Sequence, residues 1–220
     1  MNLIDLSFPV QPGMMVFTAY WHPQVSVEIM GRLETEGRET RKLILGTHSG
    51  THIDAPTHFI KNGKTIDQIT LATCIGKGQL ISFVDFPVRE ITRDHLEEKL
   101  EGVSKIERLI VRFDWSKKFG SPSYYSEYPF FTEEACEWLV DKGVRLLGID
   151  TPSPDDPRKG RGHHVDSPNH KILLQKGIFL LEYLTNLDQL KGSDIFIMAL
   201  PLNILGADGA PARVVAYDLG

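Results

Sequence analysis

The segment "GTHSGTHIDAPTHF" (46–59) gathers His48, His52, Asp54 and His58 into one short stretch. Imidazole nitrogens and a carboxylate suit zinc, manganese or iron(II). No cysteine is present, so this is not a closed thiolate site. Open nitrogen/oxygen sites keep a position for water and are usually catalytic. The spacing is H-x3-H-x-D-x3-H. Histidines at i, i+4 can share a helix face, but Gly46, Gly50 and Pro56 punctuate the segment and its threonines are poor helix formers. Ala55 precedes proline and favours an extended backbone. In an extended chain, positions 52, 54, 56 and 58 point the same way. His52, Asp54 and His58 are therefore expected to converge, with a bend near Gly50 returning His48 to them. One such histidine alone would read as a polar loop residue; three with an aspartate read as metal ligands. The metallo-β-lactamase pattern H-x-H-x-D-H is rejected, because Gly50 and Ala55 stand where it needs histidines.

The stretch "HSGTHIDAPTHF" closely resembles the signature of the cyclase family of metal-dependent hydrolases. The resemblance extends to "DLS" near the start, "GIDTPS" (148–153), "HKILLQKGIFLLEYL" (170–184) and "DGAPARVVA" (208–216). It implies that His48, His52 and Asp54 are metal ligands, with Asp54 bridging two ions, and that His58 is the acid/base histidine, not bound to metal. It also implies a later histidine and a glutamate twelve residues beyond it, the spacing of His170 and Glu182. The local chemistry agrees. Glu182 interrupts the apolar run "IFLLEYL", where a carboxylate is costly unless paired or bound to metal. His163 and His164, in a Gly/Arg/Lys-rich loop, are rivals for the ligand role and are expected to be exposed or to gate substrate.

The resemblance further implies Zn2+ or Mn2+, two ions per subunit, a small-molecule substrate, and a homodimer or homotetramer whose N-terminal segments help line a neighbouring pocket. The implied fold is a single α/β domain over 1–220, a mixed β-barrel-like sheet with flanking helices. The implied reaction is hydrolysis of an amide C–N bond, in an aryl formamide such as N-formylkynurenine or a cyclic amide such as isatin, a chemistry of tryptophan catabolism. Formamidase-like members often carry a "WPGD"-type run near the N-terminus. Here that region reads "VFTAYWHP" (16–23), and Phe17, Tyr20 and Trp21 suit a flat aryl substrate. Two other readings use the same residues: a metal-dependent cyclase or lyase, and a non-catalytic metal-binding protein. The second has no need of His58 as a proton-transfer group. A Ser–His–Asp alternative is weak, since no G-x-S-x-G elbow exists.

These side chains need elements to hold them. "VSVEIM" (25–30), "RKLILG" (41–46), "QLISFVDF" (79–86), "RLIVRFD" (108–114), "RLLGID" (145–150), "IFLLEYL" (178–184), "IFIMALPL" (195–202) and "ARVVAYDL" (212–219) are rich in branched apolar residues and read as strands. The first two form a hairpin turning near Gly37. Several runs are apolar on both faces, as in a sheet covered on both sides. Helices are predicted at 92–102, 132–143 and 167–177, from Thr92, Thr132 and Pro168 at their starts and glycines at their ends. A weaker one is predicted at 67–76. The Pro-rich stretch 151–168 reads as a long functional loop.

In a chain of 220 residues, 41% hydrophobic with net charge -5, nucleic acid is not the expected partner. No apolar stretch is long enough to span a bilayer. Cys74 and Cys136 form no CxxC pair and are expected to be free, buried thiols in a reducing compartment. With no signal peptide visible, the expected location is cytoplasmic.

Overall fold

The branched apolar runs become strands, and their pairing closes into a barrel. The computed structural model describes residues 2–159 and 165–220. Its strands are β1 (Ile4–Asp5), β2 (Ser26–Gly31), β3 (Thr40–Ile44), β4 (His52–Asp54), β5 (Ile75–Ser82), β6 (Glu90–Ile91), β7 (Arg108–Arg112), β8 (Phe130–Phe131), β9 (Leu146–Ile149), β10 (Phe179–Glu182), β11 (Asp194–Pro201) and β12 (Gly209–Asp218). The helices are α1 (Leu33–Glu36), α2 (Leu71–Cys74), α3 (Arg93–Lys99), α4 (Glu133–Asp141) and α5 (Pro168–Gln175). The main sheet runs β1-β12-β11-β5-β7-β9-β10-β4, and β4 pairs again with β12. Seven strands therefore close on themselves, with β1 attached outside the ring. Pairings from β5 through β10 are parallel, and those involving β4, β11 and β12 are antiparallel. This is the mixed, barrel-like α/β domain expected.

Alternation along each strand divides the apolar residues into two cores. Ile53, Leu80, Ile110, Leu146, Leu181, Ile197, Ala199, Ala210 and Val214 fill the lumen. Leu109, Val111, Leu147, Ile149 and Leu180 face outward, under Leu96 of α3, Ala135, Cys136 and Leu139 of α4, and Leu173 and Leu174 of α5. Each fully buried Leu or Ile stabilises the fold by roughly 1.5–3 kcal/mol. Strands covered on both faces explain why these runs lack a polar alternation.

The three predicted helices form. Thr92 and Thr132 cap α3 and α4 by accepting from the N–H groups of His95 and Ala135, and Gly177 beyond α5 takes a left-handed φ of 75°. The helix predicted at 67–76 is different. Only α2 and a short 3-10 turn (Ile66–Gln68) form there, and β5 begins at Ile75, before the predicted strand start. Gly76 and Gly78 belong to that strand. A Cβ on either would meet Arg108 atoms at 2.7 and 3.0 Å, so the glycines make room for the buried Arg108 rather than ending an element. The hairpin turns near Gly37 as expected, with α1 inserted in the turn. Cys74 and Cys136 are free and buried. Among the described residues, no helix is long and apolar enough to cross a membrane.

Candidate metal centre

β4 is the strand that closes the barrel, and it carries the chemistry. Ile53 points into the lumen, so His52 and Asp54 point out of it. Glu182 on β10 is the register partner of His52 and lies on that same outer face. On the other side of β4, Gly209 of β12 pairs with Asp54. A Cβ on Gly209 would meet the His48 ring at 2.9 Å, so glycine is what lets His48 close over the seam.

The expected bend occurs at Gly50, whose φ is 65°, and it returns His48 to Asp54. His48 Nδ1 lies 2.6 Å from Asp54 Oδ1. The expected extension through residue 58 does not occur. After Ala55, which is extended (φ -96°, ψ 156°), Pro56–His58 form a 3-10 turn, closed by the His58 N–H donating to the Ala55 carbonyl at 2.9 Å. His58 still arrives at the cluster, stacked on His48 with ring centroids 3.9 Å apart, but by a turn rather than by alternation.

His170, in the first turn of α5, completes the group. Its Nε2 lies 3.4 Å from Asp54 Oδ2 and 3.3 Å from Glu182 Oε1. His52 Nδ1 donates to the Gly50 carbonyl at 2.7 Å. That fixes the tautomer and leaves Nε2 free, 3.1 Å from Asp54 Oδ1 and 3.6 Å from Glu182 Oε2. Among the described residues, two groupings bring ligand atoms within 4.8 Å of one another: His52, Asp54 and Glu182, and His48, Asp54 and His58. Asp54 is common to both. His58 is thus placed for ligation as well as for proton transfer.

The donor set fits a cation. His52, Asp54, Glu182 and His170 are all nearly or fully buried, at 1, 1, 3 and 6% exposure. Asp54 Oδ2 and Glu182 Oε1 are buried without a hydrogen-bond partner, a costly arrangement for carboxylates unless a cation completes it. Burial and the adjacent Asp54 push Glu182 above the usual carboxylate range. Asp54 is held well below that range, because His48 and His52 outweigh its burial. Burial disfavours a charged His48, yet Asp54 and Asp208 overcome it and raise that histidine to about 10. The His48 imidazole therefore sits in a field shaped for positive charge. His58 is the exception: burial holds it below its ordinary value.

Two aspartates without a role in the sequence reading hold the histidines. Asp155 accepts from the N–H groups of Asn169 (2.6 Å) and His170 (3.3 Å) and from His170 Nδ1. It therefore caps α5, whose own N-cap Ser167 makes no such bond, and turns Nε2 toward the carboxylates. Asp208 accepts from His48 Nε2 (2.8 Å) and His58 Nδ1 (3.2 Å). The Pro-rich stretch 151–168 and the motif "DGAPARVVA" contain these residues, but their partners lie 14 to 160 positions away. His163 and His164 lie outside the described residues.

The cluster opens into a cavity of about 500 Å³ lined by Phe17, Trp21, His22, Phe59, Tyr125 and Tyr183 among others. Tyr20 is not in this wall. The N-terminal segment contributes Phe17, Trp21 and His22 to its own chain's cavity. Tyr183 takes a left-handed φ of 55°, costing about 1–3 kcal/mol. The chain breaks away directly after Glu182, and the Tyr183 carbonyl accepts from Thr51 Oγ1 at 2.6 Å.

Residues 4–156 match the Cyclase family model. Kynurenine formamidase from Bacillus thuringiensis subsp. konkukian is 32% identical over 217 residues, covering 96% of this chain and 95% of the relative. The enzyme of the same name from Bacillus cereus strain ATCC 10987 is 34% identical over the same spans. Among solved structures, isatin hydrolase A from Labrenzia aggregata bound to benzyl benzoate superposes with a TM-score of 0.88 at 25% identity, over 100% of this chain and 94% of that one. A "predicted metal-dependent hydrolase" from Bacillus stearothermophilus gives a TM-score of 0.79 at 27% identity, over 98% and 97%.

Proposed function

The chain belongs to the Cyclase family and is a metal-dependent hydrolase, and from that premise we propose that it opens the amide bond of an aryl formamide or a fused cyclic aryl amide. The observation that carries the reading is the pair of buried, unpartnered carboxylate oxygens of Asp54 and Glu182 amid four histidines. In this reading His48, His52, Asp54, His170 and Glu182 would hold the metal, one ion or two. Zinc or manganese bound there would supply Lewis acidity, which would polarise a carbonyl and make water nucleophilic near neutral pH.

The remaining chemistry belongs to the chain. His58 donates its Nδ1–H to Asp208, which leaves Nε2 as the basic nitrogen. Burial keeps it neutral near pH 7, so it accepts the proton of the attacking water and returns it to the leaving amine nitrogen. Asp155 fixes the His170 ring and Asp208 fixes the His58 ring. Phe17, Trp21, Tyr125 and Tyr183 present aromatic surface for an aryl ring. The names of the relatives, a formamidase and isatin hydrolases, support this substrate class.

Ile29, Met30, Leu33, Leu43 and Ile44 are exposed on the β2–β3 arm. This apolar surface supports a homodimer or homotetramer in which a second copy covers it. The free thiols support a reducing, cytoplasmic setting. The deciding experiment is metal analysis of purified protein, followed by kcat/KM on N-formylkynurenine, isatin and an aliphatic lactone, with zinc and with manganese. Activity in a metal-free protein, or equal activity on the lactone, contradicts the reading.

A further inference from the structure

Strand alternation fails at one place beside the site. Leu181 belongs to the lumen and Glu182 faces the cavity, so a regular strand would return Tyr183 to the lumen. Instead Tyr183 takes a left-handed φ of 55°. It joins Glu182 on the cavity wall, and Leu184 takes the lumen position. That conformation is unfavourable for tyrosine and persists where the surroundings hold it. Here the Tyr183 N–H donates to the Thr151 carbonyl at 3.2 Å, and the Tyr183 carbonyl accepts from Thr51 Oγ1 at 2.6 Å. The side chain is thereby given a defined place. Its ring centroid lies 5.5 Å from that of His52, and its hydroxyl donates to Tyr125 Oη at 3.2 Å.

With the Tyr183 hydrogen directed at Tyr125 Oη, the Tyr125 O–H keeps its own hydrogen for another acceptor. Among the described residues, Tyr125 makes no second side-chain hydrogen bond. It is half-buried and lines the cavity, its ring edge-on to Phe17 at 5.7 Å. Burial, with a smaller contribution from the Glu182 carboxylate, raises it to about 12, so it stays a neutral donor at neutral pH. Amide hydrolysis places negative charge on the former carbonyl oxygen. A fixed donor aimed there acts more strongly in a site shielded from water than in bulk. His58 reaches the cluster past His48, and the tyrosine pair reaches it past His52, so a donor at Tyr125 complements His58. We propose that Tyr125 donates its O–H to the substrate oxygen that becomes negative in the tetrahedral intermediate, and that Tyr183 is the positioning residue that holds it there. The inference rests on the amide-hydrolase reading and adds a catalytic residue that the ligand pattern does not contain. No proton leaves Tyr125: its hydrogen bond strengthens as charge develops and relaxes as the intermediate collapses.

The test measures kcat and KM separately for N-formylkynurenine and isatin in the metal-loaded enzyme, in Tyr125→Phe, in Tyr183→Phe and in the double variant. Phenylalanine keeps the ring contacts, so metal content and melting temperature are expected to match the parent. In Tyr125→Phe, kcat is expected to fall about 100-fold with KM nearly unchanged, the effect of losing one such donor. In Tyr183→Phe it is expected to fall about 10-fold, the scale of one hydrogen bond. The double variant should fall no further than Tyr125→Phe, because Tyr183 acts through Tyr125. Equilibrium binding of N-phenylphosphoramidate, a tetrahedral analogue of an aryl amide intermediate, should weaken in Tyr125→Phe while binding of aniline holds. A raised KM at unchanged kcat makes Tyr125 a ground-state contact and overturns this inference alone. Loss of metal from Tyr125→Phe, or effects that multiply in the double variant, does the same. Absence of turnover of both substrates by the unmutated enzyme overturns the amide-hydrolase reading, and this inference with it.

Discussion

Glu182 faces His52 directly across the β4–β10 pairing, with its Oε2 3.6 Å from His52 Nε2 and both side chains buried. Its other oxygen has no hydrogen-bond partner. Glu182→Gln removes a buried charge that only a cation offsets. The metal-free variant is therefore expected to melt at the same temperature as the metal-free parent or higher. Added zinc or manganese should raise its melting temperature less than the parent's, where saturating metal contributes about 3–4 kcal/mol. Thermal melts with and without metal, together with metal per chain, check both halves. An undiminished metal-induced rise would remove Glu182 from the ligand set.

His58 and His52 should separate by phenotype. His58→Ala is expected to keep metal and lose roughly 100- to 10,000-fold in kcat, whereas His52→Ala loses metal. The geometry also places His58 within ligand reach of His48 and Asp54, so the metal content of His58→Ala is the decisive measurement. Stoichiometric loss there makes His58 a ligand.

Asp155 acts through His170 and through the start of α5. Asp155→Ala is expected to weaken metal binding about 10- to 100-fold, as for partners that orient metal-bound histidines, and to lower stability by about 1–2 kcal/mol through the lost helix cap. Competitive chelator titration and denaturant melts measure the two effects separately.

Asp150 is fully buried; its Oδ1 accepts from the Phe113 N–H at 2.9 Å, and its Oδ2 has no partner. Burial, reinforced by nearby Asp114, raises it to about 7. A carboxyl raised in the folded state favours folding below its unfolded value near 4, and that contribution is lost as pH rises through about 7. The parent should therefore lose about 4 kcal/mol of stability between pH 4 and pH 8 from this group. Asp150→Asn should flatten that part of the profile and be the more stable protein at pH 8. Unfolding free energies of the two proteins across this range make the comparison, and parallel profiles would refute the assignment.

Much of the candidate metal centre was visible as residue types. Three histidines and an aspartate around Gly50, and a lone glutamate inside "IFLLEYL" twelve residues after His170, are chemistry that local structure alone does not call for. The strand runs were visible too, because burial on both faces selects branched apolar residues regardless of the partner strand. The end of the predicted 67–76 helix at Gly76 misled, since a glycine that ends an element and one that yields to a distant arginine look alike along the chain.

What only the tertiary structure decided is where those residues meet. β4 is three residues long and closes the barrel between β10 and β12. Its register puts His52 against Glu182 and Asp54 beside Gly209. Asp208 reaches His48 across 160 positions, Asp155 reaches His170 across 15, and His22 folds onto Gly46. None of these pairings leaves a local trace, because an aspartate or histidine carries the same charge and hydrogen-bonding groups wherever it stands. Its role comes from what strand register and barrel closure bring within about 3 Å of it, and long-range packing of the whole chain sets that distance.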